Sequence, residues 1–220
     1  VSATFSVAGA PVTAQSDAEF MAAKAAYERG DWRKLDALAP AVAGHPLERY
    51  AQYWQLKSRL DEASADAVDA FIARYPDSPL ADRMRVEWLK ALGKRGDWTR
   101  FAANYPPPSG EDTELTCYAI QYRYQREGAA ALAAAKPLWF TGQSTPDACN
   151  PLFAAEVARG DISLGDRKER FRLAVANGNT RLAQAIAEDL PGNERITPRE
   201  FAAIDRDPMR ALRKGQFAWK

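Results

Sequence analysis

The stretch Arg29-Gly30-Asp31-Trp32 returns as Arg95-Gly96-Asp97-Trp98 and, loosened, as Arg159-Gly160-Asp161-Ile162. Its glycines, Gly30, Gly96 and Gly160, are almost evenly spaced, and Gly128 falls midway between the last two. The midpoint of the first interval has no glycine, but Asp61-Glu62-Ala63-Ser64 supplies a turn there. Each copy joins the chemistry of two helix ends. Arginine suits the negative end of a helix, and glycine takes the left-handed conformation that closes it. Aspartate then accepts the free N–H groups that open the next helix. The spacing breaks at Asn177-Gly178-Asn179, which follows Gly160 far too soon and implies shorter helices in the last units.

Apolar residues between these marks recur at helical intervals. Phe20, Ala23 and Tyr27 share one face, as do Leu47, Tyr50, Ala51 and Trp54. Ser64 opens a helix that Tyr75-Pro76 closes, Ser78-Pro79 opens the next, and Asp97 caps a short one stopped by Pro106-Pro107-Pro108. Further helices are expected near 111–127, 129–139, 147–159, 166–177, 180–190 and 197–205. Composition agrees: Ala fills 43 positions, whereas Val and Ile together fill 14. That balance favours helix over strand. The interval from Gly96 to Gly128, and again from Gly128 to Gly160, matches one helix hairpin of a tetratricopeptide-like solenoid, a unit of about 32–34 residues. One hairpin cannot bury its apolar stripe alone, but stacked hairpins can. The expected fold class is all-α, an α-α superhelix spanning residues 17–205. Residues 1–16 read as a flexible leader and 206–220 as the truncated start of further helical repeats.

The same composition removes several function classes. Thirty Lys plus Arg stand against 29 Asp plus Glu, a net charge of +1, so no basic excess serves a nucleic acid. No apolar run reaches the roughly 18 residues that span a bilayer. One histidine and two cysteines offer no metal-ligand spacing, and no cofactor motif or nucleophile elbow is present, so no metal, cofactor or catalytic residue is expected.

Each remaining candidate has a structural explanation. The Arg-Gly-Asp tripeptides read as helix punctuation rather than adhesion motifs. Trp32, Trp54, Trp88 and Trp98 sit on apolar faces and are expected in the core, while Tyr122, Tyr124 and Trp139 are less patterned. Asp61-Glu62 and Glu111-Asp112-Glu114 read as solvated helix caps, not as the paired carboxylates of a glycosidase. His45, before Pro46, is expected to face solvent without a partner. Cys117 and Cys149 are separated by one repeat, and so would occupy equivalent places on successive hairpins. Free buried thiols are one reading; the register favours a disulfide and with it an oxidising compartment.

The run Leu138–Phe153 (LWFTGQSTPDACNPLF) and the run Arg170–Ala183 (RFRLAVANGNTRLA) resemble the N-terminal helical domain of soluble lytic murein transglycosylases. PLERYAQYWQL at 46–56 and the segment from Phe71 to Trp98 resemble it too. The resemblance covers most of residues 17–190. It implies a periplasmic, ring-shaped superhelical scaffold, on which a separate C-terminal lysozyme-like domain cleaves peptidoglycan glycan strands to 1,6-anhydromuropeptides. The bridged pair that members of this family carry would correspond to Cys117 and Cys149. The family's catalytic Glu-Ser dipeptide occurs nowhere in the chain, so no catalytic residue carries over. The chain is therefore expected to be the scaffold portion of such an enzyme and to continue beyond Lys220. The residues that touch glycan are not legible in the sequence. The competing reading is a free-standing helical-repeat adaptor for a protein or peptide partner.

Overall fold

A computed structural model describes residues 14–105 and 112–207, together with Met209. Every element among them is helical. The contacts divide the chain into two units, Val1–Gly110 and Glu111–Lys220. Most of the leader read at 1–16, the Pro106–Pro108 stop, Glu111 and nearly all of 206–220 lie outside the described residues. The last residues of that leader are already helical.

In the first unit, α1 (Ala14–Glu28), α2 (Trp32–Leu38), α3 (Glu48–Ser58), α4 (Ala65–Arg74), α5 (Pro79–Arg95) and α6 (Trp98–Asn104) follow one another. A 3-10 turn at Ala39–Val42 extends α2. Four caps open these helices. Asp31 accepts from the Lys34 N–H at 3.1 Å, Ser64 from Ala67 at 3.3 Å, Ser78 from Leu80 at 3.2 Å and Asp97 from Arg100 at 3.2 Å. Pro79 occupies a first-turn position of α5, where its missing N–H costs nothing. Helices pack on near neighbours in the chain: α1 on α2 and α3, α3 on α4 and α5, and α5 on α6. The buried faces carry Phe20, Leu35, Trp54, Val68, Phe71, Met84, Trp88, Leu92 and Phe101.

The second unit holds α7 (Thr113–Glu127), α8 (Lys136–Trp139), α9 (Asn150–Arg159), α10 (Leu164–Ala176), α11 (Thr180–Asp189) and α12 (Pro198–Arg206). The helix expected over 129–139 is instead a 3-10 segment, Gly128–Ala134, followed by the single turn of α8. Pro137 lies in the first turn of α8, where it is tolerated; further inside a continuous helix it would remove a hydrogen bond. Here α7 packs on the 3-10 segment and α9, and α11 packs on α10 and α12.

One turn geometry ends α1, α5, α9 and α10. At Gly30, Gly96, Gly160 and Gly178, all with φ between 68° and 79°, the glycine N–H reaches back three residues. The following N–H reaches back five, to the carbonyls of Ala26, Leu92, Glu156 and Ala174 at 2.9 Å. A glycine adopts this left-handed conformation without the steric cost that a Cβ imposes. The out-of-step Gly178 thus makes the same turn as its predecessors. The loosened third copy differs in its cap: Asp161 pairs with Arg159 at 2.8 Å, and Ser163 caps α10 instead.

Cys117, in the second turn of α7, is bonded to Cys149, which ends the 3-10 turn Asp147–Cys149, across a Cα–Cα distance of 5.0 Å. The two positions are not equivalent within their helices, so one repeat of separation does not explain their approach. They meet because that turn packs on α7, and Gln121 of α7 donates to the Ala148 carbonyl at 2.6 Å. Replacing both cysteines by serine should cost about 3–4 kcal/mol, from the entropy the crosslink removes from the unfolded chain. Urea unfolding of the oxidised protein and the double variant checks this.

Candidate functional site

The residues singled out in the sequence do not converge on one centre. Asp61 pairs with Lys94 at 2.6 Å, and its carbonyl accepts from Arg95 at 3.1 Å. Asp112 caps α7 through the Leu115 N–H at 2.9 Å. The Arg-Gly-Asp segments are helix ends, with Asp31 and Asp97 serving as caps. Hydrogen bonds from Arg100 hold the Asp97 carboxyl below the usual carboxylate range. No group of three or more His, Cys, Asp and Glu suited to a metal ion occurs among the described residues.

Two expectations are corrected. His45 is buried, not solvent-facing: its Nε2 lies 2.9 Å from Asp17 Oδ1, its Nδ1 accepts the Leu47 N–H at 3.0 Å, and its ring stacks on Phe20. The partner stands 28 residues upstream, so local sequence could not reveal it. Trp32 is not in the core but 42% exposed. It folds back over Gly30, where a Cβ would meet the indole at 3.6 Å, and tilts against Tyr27. Trp98 lies over Gly96 in the same way and is half-buried. Trp54 and Trp88 are buried, as expected of an apolar face. Of the less patterned aromatics, Trp139 is buried and Tyr124 exposed.

The densest polar arrangement lies in the second unit. Arg170, only 4% exposed, places its guanidinium 4.3 Å from the centre of the Trp139 ring and 5.1 Å from that of Phe153. One of its terminal nitrogens donates to Thr145 Oγ1 at 3.0 Å, while Nε is buried without a partner. Burial lowers its pKa to about 10, which leaves it charged at neutral pH. Trp139 donates to the Asp166 carbonyl at 3.0 Å. Asn179 reaches the Gly142 carbonyl and Ser144 Oγ, both at 3.3 Å. The segment from Trp139 to Phe153 is thereby clamped onto α10 and the start of α11. Cation–π contact and hydrogen bonds of this kind fix a loop; they supply no acid, base or nucleophile.

Glu156 stands where the other glycine turns carry Ala26, Leu92 or Ala174, and it is just as buried. Its Oε2 has no hydrogen-bond partner. Burial pushes this carboxyl above the ordinary carboxylate range; the Asp161 charge adds to the effect and Lys136 opposes it.

Cavities open among the described residues of the first unit. One of about 540 Å³ lies between α3 and α4, lined by Leu56, Ala67, Ala70 and Phe71 together with the polar Gln52, Gln55, Arg59, Glu62 and Arg74. A second, about 430 Å³, is formed by Ser64, Asp66, Trp88, Arg95, Asp97 and Arg100 among others. A third, about 380 Å³, lies between the starts of α3 and α5.

No protein-family model matches the chain. A soluble lytic murein transglycosylase from Salmonella typhimurium is 31% identical over 192 residues, covering 86% of this chain and 29% of that protein. The soluble lytic murein transglycosylase of Escherichia coli K12 is 28% identical over 208 residues, covering 94% and 32%. Among solved structures, the 70-kDa soluble lytic transglycosylase of E. coli superposes with a TM-score of 0.58 at 25% identity, over 92% of this chain and 32% of that one. An inactive variant of the Pseudomonas aeruginosa lytic transglycosylase gives 0.60 at 30% identity, over 92% and 33%. The chain matches a helical region of the soluble lytic murein transglycosylases.

It spans about a third of the length of those relatives. The run Leu138–Phe153, on which the resemblance to the transglycosylases is most specific, is the segment clamped by Arg170, Asn179 and the disulfide. Those residues are therefore explained by packing. No helix among the described residues is long and apolar enough to cross a membrane.

A Cβ on Gly142 would collide with the Asn177 side chain and the Leu173 carbonyl oxygen. Gly142→Ala should destabilise the protein by about 1–3 kcal/mol, as overpacking does, measured by urea unfolding. For Glu156 the sign follows from linkage. A carboxyl whose folded pKa is raised contributes stability in full below the unfolded value, and that contribution is lost as pH rises through the folded one. Stability should thus decline with rising pH above about 4.5, its ordinary value, and Glu156→Gln should flatten that decline. Unfolding midpoints measured at several pH values test it.

Proposed function

We propose that this chain is the scaffold portion of a soluble lytic murein transglycosylase, holding and orienting peptidoglycan glycan strands for a catalytic domain carried elsewhere. The observation that carries this reading is the extent of similarity: most of this chain, but only about a third of each relative. The chain has no Glu-Ser dipeptide, and of the carboxylates considered as acid/base pairs Asp112 is engaged as a helix cap and Asp61 in an ion pair. Stacking of near-neighbour helices in each unit supports a superhelical scaffold. The Cys117–Cys149 bond supports an oxidising compartment, the periplasm. The parent enzyme would leave 1,6-anhydromuropeptide ends, with a lysozyme-like domain as the partner of this chain.

Purified chain incubated with sacculi tests the proposal. It should co-sediment with them and release no 1,6-anhydromuropeptides by chromatography. Release by this chain alone would overturn the scaffold role, and failure to sediment would overturn the glycan-holding role.

A further inference from the structure

The cavity between the starts of α3 and α5 is lined by Arg49, Tyr50, Ser78, Pro79, Leu80 and Arg83, with no carboxylate among them. The two larger cavities described above each contain acidic residues, Glu62 in one and Asp66 with Asp97 in the other. What sets this cavity apart is therefore its charge, two arginines with no acidic residue in the lining. Around this cavity the pairing leaves the two arginines out. Glu48, beside Arg49, is bonded to Arg74 at 3.1 Å; Asp82, beside Arg83, to Arg85 at 2.6 Å; and Glu87, one turn on, to Lys57 at 2.6 Å. Arg49 and Arg83 themselves make no hydrogen bond or ion pair among the described residues.

Tyr50 adds to the site. It is 37% exposed and its ring tilts against the buried Trp54, which fixes the phenol at the cavity's edge. Ser78 is buried and turned inward, its Oγ spent on the Leu80 N–H. Pro79 and Leu80 give an apolar wall. Two arginines without a carboxylate partner among the described residues, a tyrosine and an apolar wall line this space of about 380 Å³, a combination that suits a small acid with an apolar side chain. Guanidinium in particular matches a carboxylate in two-pronged geometry.

We infer that the Arg49–Tyr50–Arg83 cavity binds a peptide carboxylate. On the scaffold reading above, from which this inference draws its ligand, the source is the free carboxylates of peptidoglycan stem peptides. The chain would then hold its substrate by the peptide as well as by the sugar.

Calorimetric titration of the whole chain with an uncrosslinked muropeptide monomer tests this. The comparisons are the same monomer with its carboxylates amidated and the glycan stripped of peptide. Charged hydrogen bonds of this type imply about a tenfold loss of affinity for Arg49→Gln or Arg83→Gln, and about a hundredfold for the pair. The amidated monomer should lose as much against the unaltered chain, and the circular dichroism of the variants should be unchanged. Equal binding of the amidated monomer, or unchanged binding by the double variant, would overturn the inference. If that occurs while the unaltered chain still sediments with sacculi, the scaffold reading stands and only this site falls. If the chain binds neither sacculi nor monomer, both fall.

Discussion

The structure depends on a backbone constraint at the helix ends. Each helix leaves its last carbonyls without partners, and a glycine in the left-handed conformation turns the chain so that two following N–H groups can reach back to them. The five-residue reach ends on a carbonyl at a buried position each time, at Ala26, Leu92, Glu156 and Ala174. Closing one helix thus anchors the turn in the interior. A side-chain cap then starts the next helix within a few residues, by Asp31, Asp97, Ser163 and Asn179. A connection this short lets α2 pack on α1, α6 on α5 and α11 on α10, and with that packing comes the burial of apolar stripes that no single helix could hide.

Much of this was legible because its signals are local. Caps, prolines and the glycine series are separated from their effects by only a few residues, so the helix starts at Trp32, Ala65, Pro79 and Trp98 could be read directly. What escaped reading depended on distance along the chain. His45 is buried because Asp17 and Phe20 of another helix enclose it. Trp32 has the spacing of a core residue, yet its indole covers the hinge glycine two positions earlier. The cysteines stand one repeat apart, but their approach comes from a 3-10 turn lying on α7.

The cavities were less legible still. Whether an arginine is free depends on which cations its neighbouring carboxylates choose, and those choices span distances such as Lys57 to Glu87 or Arg74 to Glu48. The buried Arg170 and Glu156 gave no signal in their immediate sequence either. Arg170 keeps its charge because aromatic rings and Thr145 compensate for lost water. Glu156 has no such compensation at Oε2, and its carboxyl responds by holding a proton more tightly.

The covalent link between α7 and the start of α9 has a mechanical consequence. It turns the intervening backbone, with its 3-10 segment, the turn of α8 and the loop around Gly142, into a closed ring. A protease that nicked an exposed peptide bond in that ring would not release a fragment. Both sides of the cut would stay tethered, and under oxidising conditions the damaged molecule would migrate as a single chain.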